Sequence, residues 1–202
     1  KIFIFYCILS FLLFTIFNIS GIRLFNSLNL MMTTVSGGGF LPSDNLNKII
    51  SSNLQKIVLI FSLILSMLNF YFIFNIFRKK IFIKEHREDF YILGLSLILI
   101  LLIYFNSFDG LNVIISVLSS ISNSGITLLK SDNNLSLYFL LIAIIGGSLI
   151  SNTSGIKLTR LYILLKITSA EIIKLISPNS IINKTIFNSE RKITDDNIKT
   201  SF

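Results

Sequence analysis

The sequence predicts an all-helical membrane protein made of two consecutive units, each a span, a half-length apolar segment and a second span. Three observations carry this. Of 202 residues, 52% are hydrophobic and only 14% are charged, whereas soluble domains carry about 25% charged residues. Three uncharged apolar runs, and a fourth with a polar interruption, are each near the ~20 residues that a helix rising ~1.5 Å per residue needs to cross hydrocarbon. Two further apolar stretches have about half that length, and runs of ~10–14 residues read as re-entrant or buried segments. This pattern excludes a soluble enzyme, a disordered segment and a disulfide-stapled secreted domain. The single cysteine, Cys7, has no partner to pair with.

The first span covers residues 2–20. It has no convincing small-residue cleavage site and similar runs follow, so a membrane helix is expected rather than a signal peptide. The chain starts at Lys1 rather than methionine, as an internal piece of a longer protein would. Leu24 to Val35 forms the first half-span, and residues 57–77 form an uncharged second span. The second unit has a span at 90–106, a half-span from Leu111 to Ile121, and a last span at roughly 135–156. The expected organisation is therefore a repeat at 1–80, a second repeat at 81–165, and a basic amphipathic tail at 166–202, with Ile172, Ile173 and Ile176 toward one face. That face suits a membrane surface or a regulator contact.

Charge orders these spans. Lys1, five basic residues between Arg78 and Arg87, and eight from Lys157 onward fall on one side; Arg23, Lys48, Lys56 and Lys130 fall on the other. The positive-inside bias puts the N-terminus of this piece, the 78–89 loop and the tail in the cytoplasm, with both half-spans opening outward. The net charge of +8 is accounted for by inner loops facing anionic lipid, with no nucleic acid as partner.

The half-spans carry a weak internal repeat. Phe25-Asn26-Ser27-Leu28-Asn29 and Phe108-Asp109-Gly110-Leu111-Asn112 open them. Thr33-Thr34-Val35-Ser36-Gly37-Gly38-Gly39-Phe40 and Ser119-Ser120-Ile121-Ser122-Asn123-Ser124-Gly125-Ile126-Thr127 close them, as duplication of the whole unit would produce. A half-helix that stops within the membrane leaves carbonyls unsatisfied and partial negative charge at its C-terminus, which favours a cation. Glycine lets the next backbone turn successive carbonyls inward, and a ring of carbonyls can replace the hydration shell of potassium. Ser36, Ser122 and Thr127 offer additional hydroxyl oxygens. The rival reading of Gly37 to Gly39 is a plain flexible turn. Within the last span, a continuous helix from Tyr138 to Leu165 would run about 42 Å. Its middle, Gly146-Gly147-Ser148-Leu149-Ile150-Ser151-Asn152-Thr153-Ser154-Gly155-Ile156-Lys157, suits either a broken helix or a close helix contact.

Other polar residues receive bland readings. His86, beside Glu85 and Arg87, reads as a solvated loop residue, and Glu88 and Asp89 as adjacent acids with no pocket. Asn69, Asn75 and Asn106 read as helix-to-helix hydrogen bonders. Asn183-Lys184-Thr185 matches a glycosylation sequon on the wrong side of the membrane. An enzyme embedded in the membrane would need acids, histidines or cysteines at depth, where only Cys7 stands.

These motifs resemble the Trk/Ktr superfamily of potassium uptake proteins. Thr34 to Phe40 resembles the second-repeat filter T-V-S-T-G-G-F, with Gly37 in place of threonine. Ser122 to Thr127 resembles the third-repeat filter T-T-T-G-F-T, departing at Asn123, Ser124 and Ile126, which bears on how strictly potassium is selected. Gly146 to Arg160 resembles the broken-helix segment G-G-S-x-G-S-T-x-G-G-I-K-x-x-R. Ile150, Thr153 and Ser154 stand there where glycine is common. Ser177-Pro178-Asn179 falls where the family often has H-P-N.

The resemblance implies helix–pore-helix–helix units, four around one pore, of which this chain holds the second and third. It implies filter residues Val35, Ser36, Gly37, Gly38, Gly39, Ser122, Asn123, Ser124, Gly125 and Ile126, holding K+ through backbone carbonyls. It also implies a gating loop with Gly146, Gly147, Ser148, Ser151, Asn152, Thr153, Ser154, Gly155 and Lys157. It further implies potassium uptake across the bacterial inner membrane, in symport with sodium or protons or uncoupled. No organic cofactor is expected in this chain; a homodimer and a cytoplasmic nucleotide-binding regulatory subunit are. The rival from the residues alone is a secondary transporter of a small solute built on broken-helix repeats.

Overall fold

The computed structural model describes residues 2–43, 46–77, 86–104, 110–128, 133–177 and 187. The chain runs α1 (Ile2–Ile19), α2 (Leu24–Ser36), a 3-10 turn (Leu46–Lys48), α3 (Asn53–Met67) and α4 (Phe70–Phe77). It continues through α5 (Arg87–Tyr104), α6 (Gly110–Ile121), α7 (Asn133–Ile144) and α8 (Leu158–Ile176). Among the described residues the elements are helical, apart from one isolated parallel bridge, Ile145 with Ile156. The order is helix, short helix, helix, then the same again.

Local chemistry sets several of these boundaries. Ser52 caps α3 in a reciprocal box: its hydroxyl accepts from the Gln55 amide at 3.2 Å, and Gln55 Oε1 accepts from the Ser52 amide at 3.3 Å. Gln55 Nε2 also donates to the Ser20 carbonyl at 3.3 Å, tying the start of α3 to the end of α1. The buried hydroxyls of Ser62, Ser66 and Ser96 each donate to a carbonyl three residues back at 2.8 Å. They therefore enter an apolar interior already satisfied.

The short helices occupy the interior unequally. α6 packs against α3, α5 and α7, and every residue from Ile115 to Ile121 is buried. α2 packs against α1 and α3; it buries Ser27, Leu30, Thr33, Thr34 and Val35 and exposes Leu24, Phe25, Leu28 and Met32. The core joins Leu30, Leu59, Leu63, Val113, Ile115, Leu118 and Ile126. The outer faces are apolar as well: Phe3, Ile8 and Phe11 on α1, Leu97, Ile98 and Leu101 on α5, and Leu137, Leu140 and Leu141 on α7 are exposed.

The second span differs from the uninterrupted run expected for it. Among the described residues no single helix is long and apolar enough to cross a membrane; α3 and α4 pass that test as a pair, bent by 112° at their junction. The 18 residues of α1 extend about 27 Å, just short of a ~30 Å hydrocarbon core. Residues 57–77, expected as one straight span, break at Leu68 and Asn69. The last span ends at Ile144 and resumes at Leu158. α8 then runs unbroken through position 165, so the expected boundary between repeat and tail lies inside a helix. Lys1, the 78–85 stretch, Asn106, Phe108, Asp109, Lys130, Pro178, Asn179 and the 183–185 sequon lie outside the described residues.

Candidate functional site

The two short helices end alike. After α2, Gly37 takes a left-handed conformation (φ 67°), and its amide donates to the Thr33 carbonyl. The Gly38 amide donates to the same carbonyl at 3.2 Å. After α6, Asn123 takes the left-handed conformation (φ 55°), and the Ser124 amide donates to the Ser119 carbonyl at 3.0 Å. A second left-handed residue follows in each loop, Gly39 (φ 71°) and Gly125 (φ 66°). Such caps satisfy the otherwise free carbonyls at a helix end. This matching sets the repeat register: Gly37 falls opposite Asn123, Gly39 opposite Gly125, and Asn26 opposite Asn112. The opening match by sequence was out of register, since Phe25 falls opposite Leu111 rather than Phe108.

The loops lie against each other. A Cβ on Gly39 would sit 2.5 Å from the Ser124 carbonyl oxygen, and one on Gly37 would sit 3.4 Å from the Ser122 carbonyl oxygen. At Gly39 both the positive φ and the approach of another backbone demand glycine. Each loop is also held by a hydroxyl from its own short helix. Thr33 Oγ1 donates to the Phe40 carbonyl, and Ser119 Oγ meets Ser124 Oγ at 3.1 Å. Ser122 Oγ donates to the Ser119 carbonyl at 3.2 Å and meets Ser124 Oγ at 3.1 Å, so a buried serine trio backs the second loop. Ser36 Oγ turns back to the Met32 carbonyl at 2.6 Å. The Ser36 hydroxyl thus donates within α2, and the Ser122 hydroxyl donates to the end of α6. Thr127 is exposed and Ile126 buried.

Between α7 and α8 lies an irregular loop, which decides the open question in favour of a broken helix. Its base is closed by Gly146 N to Ile156 O and Ile156 N to Ile144 O, both 2.9 Å. Lys157 Nζ folds back into it, donating to the carbonyls of Ser151 (3.1 Å) and Thr153, and contacts their hydroxyls at 3.2 and 3.1 Å. The Thr153 hydroxyl accepts from the Gly147 amide at 2.8 Å and meets the Ser151 hydroxyl at 2.9 Å. One ammonium and a few hydroxyls therefore satisfy backbone groups that no helix serves.

This loop reaches both glycine-bearing loops. Asn152 Nδ2 donates to the Val35 carbonyl, near the end of α2, at 2.7 Å. A Cβ on Gly155 would lie 2.9 Å from Asn123 Nδ2, and the carbonyls of Ser154 and Asn152 lie close to Gly146 and Gly37. Val35, Gly37, Gly39, Ser122, Asn123 and Ser124 are thus gathered with Asn152 and Gly155 in one neighbourhood, with Ser36, Gly38 and Gly125 their neighbours in sequence, while Gly146, Ser151, Thr153 and Ser154 make contacts within the 146–157 loop itself. Gly147 and Ser148 face elsewhere, toward the break in the first repeat. Ser148 N donates to Met67 O at 3.0 Å, Phe70 N donates to Ile150 O at 3.1 Å, and a Cβ on Gly147 would lie 2.6 Å from Met67 O.

The residues given bland readings join this junction. His86 and Asp89 are 5% and 1% exposed, not solvated. Their side chains pair at 3.5 Å, and Asn75 Nδ2 meets His86 Nε2 at 3.0 Å. Asp89 Oδ1 accepts from the Asn69 amide at 2.8 Å. Asn69 Oδ1 caps the start of α4 through the Tyr71 amide at 2.9 Å, rather than bridging helices by its side chain. Glu88 Oε1 accepts from the amides of Leu149 (3.0 Å) and Thr159 (3.2 Å). The available signal was the pair of acids in the first turn of an apolar helix, where carboxylates serve as caps. Among the described residues no cluster of His, Cys, Asp and Glu is suited to a metal.

No protein-family model and no curated protein matches the chain. Its structure is similar to the crystal structure of the potassium transporter TrkH from Vibrio parahaemolyticus, with a TM-score of 0.76 and 17% identity over 96% of this chain. The chain spans 44% of that transporter's length. The likeness shows the fold: an all-helical membrane architecture of repeated helix, short helix and helix.

Proposed function

We propose that this chain forms part of a pathway that carries potassium into a bacterial cell, with the loops after α2 and α6 as its filter and the 146–157 loop as its gate. The observation that carries the reading is the pairing of the two glycine-bearing loops with Asn152 on the Val35 carbonyl. Both short helices direct their C-terminal partial negative charge toward those loops, which favours a cation there. Carbonyls released from the gate would replace water around the ion; a carbonyl engaged by the Asn152 amide is withdrawn from that task. Ion passage in this reading requires the loop to leave the Val35 carbonyl.

The similar transporter is more than twice as long, and the complete pathway is proposed to include further repeats outside this chain. The basic bias of the 78–87 stretch and the tail supports their placement in the cytoplasm. A homodimer, a nucleotide-binding regulatory subunit on that side, and coupling to sodium or protons extend the reading from the sequence resemblance.

The test is potassium-limited growth of an uptake-deficient bacterium carrying the complete gene and any regulator. The parent should rescue growth, Gly39→Ala should abolish rescue, and Gly125→Ser should raise the potassium concentration needed. A well-expressed parent that fails to rescue, or variants that both match it, would overturn the reading and favour a small-solute transporter.

A further inference from the structure

Glu88 is not part of the filter or the gating loop, yet a single oxygen of its carboxylate reaches both sides of the second break. Oε1 accepts from Leu149 within the loop at 3.0 Å and from Thr159 in the first turn of α8 at 3.2 Å. α8 needs this partner. Its own N-cap residue is Lys157, which makes no side-chain cap bond and whose ammonium is a donor only, here turned into the loop. The first amides of a helix require acceptors, and Glu88 supplies one from a different helix.

The next residue acts at the first break, where Asp89 Oδ1 accepts from the amide of Asn69, the residue before α4, at 2.8 Å. One dipeptide at the start of α5 thus holds backbone amides at both breaks. The two anchors differ in burial. Asp89 is 1% exposed and is paired with His86, whereas Glu88 is only partly buried. Asp89 is the fixed end and Glu88 the end that can let go.

We infer that Glu88 is a positioning residue that holds the 146–157 loop against the filter loops, so that its release frees the loop. This rests on the gate reading above and deepens it. Charge-assisted hydrogen bonds are among the stronger ones, and both of these are made to the loop or its exit. The amide of glutamine keeps a carbonyl acceptor at nearly the same reach, whereas alanine keeps none.

The test uses the complete protein with any regulator, reconstituted in liposomes. It reads hydrogen exchange of the segments containing Leu149 and Thr159 together with unstimulated rubidium flux. In Glu88→Ala, which loses both hydrogen bonds to a charged group, exchange and flux should each rise by at least about tenfold. In Glu88→Gln, which keeps an acceptor but loses its charge, both should rise less than in Glu88→Ala. Should Glu88→Ala misfold, Glu88→Asp, which keeps the charge but shortens the reach, should give the same faster exchange. Exchange unchanged in Glu88→Ala or Glu88→Asp would overturn the inference whatever the flux. Faster exchange with parental flux would uphold Glu88 as the residue holding the loop and overturn the gate reading instead.

Discussion

The two repeats agree where the short helices end and diverge where the second long helices break. At the ends of α2 and α6 the same backbone turn is made by different residues, glycine at 37 and asparagine at 123. The long helices are interrupted differently: α3 and α4 are separated by Leu68 and Asn69 alone, whereas α7 and α8 are separated by residues 145–157. These breaks are complementary. The short one exposes the Met67 carbonyl and the Phe70 amide, and the long loop supplies Ser148 N and Ile150 O to meet them. The two units thus share a turn at the end of the short helix, while one break serves as a dock and the other supplies the piece that docks.

This comparison is broken most severely at Gly147. Alanine there would place its Cβ 2.6 Å from the Met67 carbonyl oxygen and 2.7 Å from the Thr153 hydroxyl, an overlap that forces the loop off its dock. Overpacking of this kind costs about 1–3 kcal/mol. Unstimulated rubidium flux should rise by about tenfold or more, and a lower melting temperature of the complete protein should accompany it. A smaller effect is expected from Asn152→Ala, which removes the bond to the Val35 carbonyl and leaves the dock intact. A rise in flux of about threefold to tenfold, the equivalent of a hydrogen bond of about 1 kcal/mol, is the outcome to measure. The smallest belongs to Asn123→Gly. Glycine suits the left-handed turn as well as asparagine does, and the Asn123 Nδ2 that it removes is buried without a hydrogen-bond partner. Stability and flux should stay close to the parent, whereas a large loss would mean that the turns at 37 and 123 are not equivalent.

Much of the fold was legible in the sequence because it is written in local apolar pattern. The expected half-spans at 24–35 and 111–121 match α2 and α6 to within a residue, and 2–20 matches α1. The glycine and serine content of 146–155 signalled an irregular backbone but left a tight helix contact equally open. The oxygens gathered around Lys157 and the bond from Asn152 to Val35 resolve that in favour of the loop. The bend at Leu68 and Asn69 was illegible for a physical reason. Residues 57–77 contain no glycine, proline or charge, and the partners of the break, Asp89, Ser148 and Ile150, come from other parts of the chain. His86, Glu88 and Asp89 were misread for the same reason. Their charged neighbours Glu85 and Arg87 suggest a solvated loop, and only the packing of α4 and the 146–157 loop around α5 gives His86 and Asp89 their burial and Glu88 its contacts.

Ion flux through the complete protein in liposomes, rubidium against sodium, puts the proposal that the loops after α2 and α6 form a filter to the most direct test. The parent should carry rubidium in preference to sodium, and Gly39→Ala should lose that preference along with most of the flux, because its Cβ would meet the Ser124 carbonyl oxygen of the opposite loop. A parent that carries neither ion, or a Gly39→Ala protein with parental flux and preference, would contradict the assignment of these loops to an ion pathway.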